Sequence, residues 1–126
     1  MTDLDRDIAT DETDRLIASN KVEGTAVFDA QGEKLGTIYN FMVDKDSGQV
    51  EYAVLQFGGL FGLGADYYPL PWEKLSYDVD EGGYVVDIDK ETLEDAPRYS
   101  DDSEPAYDRA YGEQVYGYYG LTYPVA

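Results

Sequence analysis

Residues 35–57 read Leu35-Gly-Thr-Ile-Tyr-Asn-Phe-Met-Val43, then Asp44-Lys-Asp-Ser-Gly48 and Gln49, then Val50-Glu-Tyr-Ala-Val-Leu-Gln-Phe57. A polar pentad ending in glycine, set between two β-branched and aromatic runs, reverses the chain as a hairpin. Both arms are apolar on both faces. Alternation puts Leu35, Tyr39, Phe41 and Val43 on one side of the first arm, with Ile38 and Met42 on the other. In the second arm Tyr52 and Val54 oppose Ala53, Leu55 and Phe57. Strands of this kind need cover on both faces. One face can fill a small barrel; the other calls for a helix, a tail or a partner.

The flanks extend the pattern. Upstream, Asn20 and Glu23 are placed to cap a helical turn over residues 21–23 that Gly24 ends. A strand over residues 25–28 and the turn Asp29-Ala-Gln-Gly32 follow. Downstream, the glycine-rich run 58–64 leads to an extended segment, 67–72, whose Pro69 and Pro71 mark an edge strand. Leu75, Tyr77 and Val79 alternate with polar residues, as do Tyr84, Val86 and Ile88, and Asp80-Glu-Gly-Gly83 turns between them. Residues 90–96 form a helical turn stopped by Pro97. Six short strands at this spacing make a small all-β barrel or sandwich.

Composition divides the chain in three. Residues 1–16 are an acidic, mobile arm, and residues 17–98 are the barrel domain. Residues 99–126 are a tail holding seven of the thirteen tyrosines. In the tail, Ser103 is placed to cap a helix with Glu104 and Pro105 in its first turn. Tyr107, Tyr111, Val115 and Tyr118 then fall on one helical stripe. Gly112 and Gly117 each weaken that helix by about 1 kcal/mol relative to alanine, so it must dock to be ordered. Gly120 is its C-terminal stop.

Nine lysines and arginines against 27 acids give a net charge of −18, the wrong sign for binding DNA, RNA or an anionic membrane. With no cysteine and no histidine, disulfides, thiolate sites and the commonest general base are absent. No window is long and apolar enough to span a membrane, and the N-terminus has no basic or apolar leader. The expectation is a cytoplasmic protein.

Residues 16–97 resemble the PRC-barrel family, a β-barrel first recognised in a reaction-centre H subunit and a ribosome maturation factor. The resemblance is carried by Gly24-Thr-Ala-Val-Phe-Asp29, Gln31-Gly-Glu-Lys-Leu-Gly-Thr-Ile38 and Val43-Asp-Lys-Asp-Ser-Gly-Gln-Val50, in that order. Tyr52-Ala-Val-Leu55, Phe57-Gly-Gly59, Tyr68-Pro-Leu-Pro-Trp72 and Leu93-Glu-Asp-Ala-Pro97 continue it. It implies a six-stranded barrel and a non-catalytic docking or assembly role. Neither photosynthetic nor ribosomal function carries over with the fold.

Four features invite a chemical reading. Asp44 and Asp46 begin one calcium-like loop, and Asp78 and Asp80 a second. The first lacks the glycine and glutamate an EF-hand needs at positions six and twelve, and the second runs into a strand. Both read first as hairpin turns, with weak divalent-cation binding or stress tolerance as the alternative function. The glycine-rich run lacks the Lys-Ser/Thr ending of a phosphate loop and is followed by Asp66. Its tip, Leu60, Phe61 and Leu63, reads as a contact surface. No nucleophile or base is identifiable, so the chain reads as no enzyme and needs no cofactor. The resulting expectation is a protein-interaction module that forms homodimers. Its contacts are the apolar barrel face, the Leu60, Phe61 and Leu63 tip, and the stripe Tyr107, Tyr111, Val115 and Tyr118. The stripe packs either on its own barrel or across to a neighbour's.

Overall fold

A computed structural model describes residues 16–58 and 65–124. Three of its turns share one device. The carboxylate of Asp29 accepts from the N–H groups of Gln31 and Glu33, that of Asp44 from Asp46 and Ser47, and that of Asp78 from Asp80 and Glu81. Each turn also has a glycine with positive φ, Gly32, Gly48 and Gly82 respectively. These turns separate β1 (Ala26–Phe28), β2 (Lys34–Val43) and β3 (Val50–Gly58), and later β5 (Leu75–Asp78) and β6 (Gly83–Val86). Between them lies β4 (Ala65–Pro71), followed by a 3-10 turn, Trp72–Lys74. The helices are short: α1 (Ser19–Val22), α2 (Lys90–Glu94) and α3 (Arg109–Tyr118).

All six strands form one sheet in the order β4-β3-β2-β1-β6-β5. Neighbours run antiparallel except β1 and β6, which pair parallel at Val27↔Tyr84 and Phe28↔Val85. The two edge strands, β4 and β5, are consecutive in the chain. A flat sheet of six strands would hold its edges roughly 24 Å apart. The chain from Pro71 to Leu75 reaches at most about 14 Å. The sheet therefore curls as a barrel does, although its edges do not hydrogen-bond to each other. Prolines 69 and 71 lie on edge strand β4, where a missing N–H is tolerated.

Strand register overturns one reading of faces. Pairing passes from Ile38↔Leu55 to Asn40↔Val54, which leaves Tyr39 as a bulge; a second shift, between Val27↔Gly36 and Phe28↔Lys34, leaves Leu35 unpaired. Simple alternation assigns Leu35 and Ile38 to opposite faces, yet both are buried, while Tyr39 is 49% exposed. In the β3–β4 ladder the alternation does hold. Leu55 faces Tyr68 and Ala53 faces Leu70, while Val54 faces Pro69 and Gln56 faces Tyr67. The two sets lie on opposite sides of the sheet.

The helix starts also differ from expectation. Ala18, not Asn20, precedes the first helical turn, and it supplies no side-chain cap. In the tail Asp108 caps α3 by accepting from the N–H of Tyr111, five residues beyond Ser103. Ser103 instead closes a turn with Ser100. An aspartate is at least as good a cap as serine, and Asp108 stands three residues before Tyr111, whose N–H it accepts from. Gly120 has φ +77 and ends α3 as its position suggests. Of the arm expected over residues 1–16, only Leu16 lies within the described residues.

Candidate functional site

The second face of β3 and β4 is covered by the chain's own tail. Tyr52, 2% exposed, sits under three tail rings: Tyr107 at 5.2 Å, Tyr116 at 5.7 Å and Tyr123 at 6.5 Å between centroids. Tyr67 and Tyr99 bond through both backbone N–H groups, at 2.8 and 3.0 Å, and their rings stack. That bridge extends the ladder beyond edge strand β4. Val115 is wholly buried, in the core cluster that also contains Tyr52 and Tyr116.

Hydroxyl groups fix the docking. Tyr116 donates to the backbone carbonyl of Glu51 at 2.6 Å, and Tyr123 donates to the Glu51 carboxylate at 2.8 Å. Tyr118 donates to the carbonyl of Thr92 in α2. The hydroxyls of Tyr99 and Tyr107 share a bond of 3.0 Å. Gly112, a liability in an isolated helix, has a reason here. A Cβ built on it would stand 2.5 Å from the Tyr123 ring, so only glycine lets the end of the tail lie across α3.

The stripe read from the sequence is thus placed residue by residue. Val115 is in the core, and Tyr107 and Tyr111 are partly buried against it. Tyr118 is 39% exposed, and Tyr107 precedes the helix instead of belonging to it. Leu60, Phe61 and Leu63 lie outside the described residues. Sequence reasoning missed Glu51, Tyr52 and Tyr67 as the tail's receptors. The density of tyrosine on both sides of the contact was the available signal.

Burial perturbs these phenols. Loss of solvation pushes Tyr111 and Tyr116 from the usual 10.0 up to about 12. It drives Tyr52, Tyr107 and Tyr119 upward as well. The folded chain thus favours neutral phenols. Their contribution to stability is complete below pH 10 and is lost as pH rises through about 12. A base titration should accordingly show tyrosinate absorbance rising together with loss of near-ultraviolet circular dichroism. Smooth ionisation near the ordinary value, with the dichroism intact, would contradict a tail held by buried phenols.

The acidic turns do different work. In Asp44, hydrogen bonds from the Ser47 and then the Asp46 N–H hold the carboxyl below its ordinary value. The Asp78 carboxylate accepts hydrogen bonds from the N–H groups of Asp80 and Glu81. Among the described residues no three acidic side chains converge as metal ligands. No helix among them is long and apolar enough to cross a membrane.

The curled six-stranded sheet agrees with what the sequence matches. Residues 14–93 fit the model of the PRC-barrel domain. The chain belongs to the PRC-barrel family. It is also 25% identical over 79 residues to an uncharacterized protein of Deinococcus radiodurans, covering 63% of this chain. The chain spans 28% of that relative's length. The family match ends at Leu93, so the tyrosine-rich tail that completes the core lies beyond the PRC-barrel region proper.

What the fold leaves uncovered lies elsewhere. Tyr77 and Val79, at 44% and 61% exposure, stand on and just after edge strand β5. The alternation Leu75, Tyr77, Val79 predicts one buried face; Leu75 packs against the core and Tyr77 meets the edge of Tyr84, but Val79 lies beyond β5, which ends at Asp78. Its outer side has no ladder partner among the described residues.

Proposed function

We propose that this PRC-barrel protein is a non-catalytic association module that pairs with a second copy of itself. The contact is the free edge of β5, together with the apolar tip Leu60, Phe61 and Leu63. The observation that carries the reading is the exposure of Tyr77 and Val79 on an edge with no ladder partner among the described residues. An unpaired edge is a template for strand addition. Two copies related by a two-fold axis meet through the same edge. Tyr118, the stripe member left partly exposed, remains available as a further contact. The cation alternative at Asp44, Asp46, Asp78 and Asp80 rests on charge alone, since Asp44 and Asp78 serve the turns.

Charge sets the condition for pairing. Two chains at −18 repel each other, so self-association strengthens with salt, whereas capture of a basic partner weakens. The test is light scattering behind size exclusion on the full chain at ~0.05 M and ~0.5 M salt. A dimer should appear at the higher concentration. Val79→Lys, at a side chain exposed in the fold, should weaken it about tenfold. A monomer at every protein and salt concentration overturns self-association.

A further inference from the structure

Two chains of oxidisable rings run toward exposed tyrosines, one from the partly buried Trp72 and one from the buried Tyr52. In the first, Trp72 lies 5.6 Å from Tyr84, and Tyr84 lies 5.2 Å from the exposed Tyr77. The second starts at the buried Tyr52 and passes to Tyr107 at 5.2 Å and Tyr99 at 6.4 Å. It continues to Tyr67 at 5.5 Å and ends at Tyr39, 4.8 Å further and half exposed. Every link is a contact between rings that can lose an electron; no phenylalanine interrupts either path.

Packing alone does not account for the choice of tyrosine. The chain has thirteen tyrosines and four phenylalanines. The hydroxyl of Tyr52, at the head of the second chain, is buried without a hydrogen-bond partner among the described residues, as are those of Tyr111 and Tyr119. A buried, unpaired hydroxyl costs about 1–3 kcal/mol, and phenylalanine would fill nearly the same space without that penalty. Phenylalanine, however, is far harder to oxidise. The chain also has no cysteine, the residue that most often takes up oxidising equivalents.

We propose that these two chains carry one-electron oxidising equivalents from Trp72 and from the Tyr52 and Tyr107 pair to the surface at Tyr77 and Tyr39, making the protein a scavenger of one-electron radical oxidants such as the azidyl or carbonate radical. The oxidant takes one electron from Trp72, which releases its indole proton to solvent. Tyr84 returns an electron to Trp72, which regains a proton from solvent, and Tyr84 releases its phenolic proton. Tyr77 then reduces Tyr84 in the same manner. The net change is one electron from Tyr77 to the oxidant and one proton from Tyr77 to water. In the second chain the oxidant takes its electron from the partly buried Tyr107, and the same exchanges through Tyr99 and Tyr67 end with one electron and one proton lost from Tyr39. Direction follows from burial: an exposed phenol hands its proton directly to water, whereas burial makes phenol deprotonation at Tyr84 and Tyr107 unfavourable.

This inference is independent of self-association and is tested on the full chain at monomer concentrations. The azidyl radical, generated by pulse radiolysis, is the probe, and Trp72 is the sole tryptophan. The Trp72 radical should decay by a first-order process, independent of protein concentration, as the tyrosyl signal grows. Tyr84→Phe should abolish that first-order component. In the second chain, oxidation products mapped by mass spectrometry should exceed at Tyr39 those at Tyr118, which is exposed but off the path. Tyr99→Phe should erase the excess, with thermal melts confirming that both variants fold. If Trp72 decays alike in the wild type and Tyr84→Phe, the first relay is overturned. If the Tyr39 to Tyr118 ratio is unmoved by Tyr99→Phe, exposure alone governs and the second falls.

Discussion

A chain ended at Arg98 should lose cooperative folding altogether. The segment it lacks contains Val115, Tyr116 and Tyr119, all buried in the main core with Val27, Ile38, Leu55 and Val86. Burial of each such side chain contributes about 1.5–3 kcal/mol. Removal also uncovers Tyr52 and Tyr67 and strips the backbone partners from Tyr67. A loss on the order of 5–10 kcal/mol is comparable to the whole stability of a domain this size. The expected result is a featureless thermal melt, strong binding of a hydrophobic dye and aggregation. An intact, two-state melt of the shortened chain would show that the tail is an accessory and not part of the core. The same reasoning makes tail deletion unsuitable for testing association, since it would change the fold and the oligomer together.

The second large effect is expected from one added methyl group. A Cβ on Gly36 would stand 2.3 Å from the backbone oxygen of Gln56 and 3.0 Å from Leu55 Cδ1. Gln56 is in the β2–β3 ladder on one side and the β3–β4 ladder on the other, so its carbonyl cannot retreat without breaking strand pairing. Overpacking against a fixed backbone costs about 3 kcal/mol or more. Gly36→Ala should therefore lower the melting temperature by roughly 10 °C. Gly117→Ala is the control: its Cβ meets nothing within 4 Å, and alanine favours the helix. Equal melting temperatures for the two variants would refute the close approach of β2 and β3 at Gly36.

The turns and the number of strands were legible in the sequence because local chemistry decides them. Aspartate followed within four residues by a glycine turned the chain at residues 29–32 and 44–48 as read; the third turn, read at 80–83, starts two residues earlier at Asp78, with Gly82 its positive-φ residue. Pro69 and Pro71 declared an edge. The need for cover on the second face of β3 was legible too, since Tyr52 and Val54 are apolar on the side opposite Leu55. Two bulges were not. A bulge is set by the register of a neighbouring strand, and no pattern within residues 34–43 announces that Tyr39 will be unpaired and turned toward water.

The candidate surface divides in the same way. The amino-acid sequence by itself determined the acidic charge, the absence of cysteine and histidine, the six strands and the presence of a tail too weak to stand alone. Only the tertiary structure decided where that tail goes. Its receptors, Glu51, Tyr52 and Tyr67, are separated from α3 by long stretches of chain and share no periodicity with it. Tertiary structure also decided that Tyr77 and Val79 stay exposed, because the tail docks over Glu51, Tyr52 and Tyr67 and covers edge strand β4 instead. Local propensity is written residue by residue; contacts across the sequence exist only once the sheet has curled.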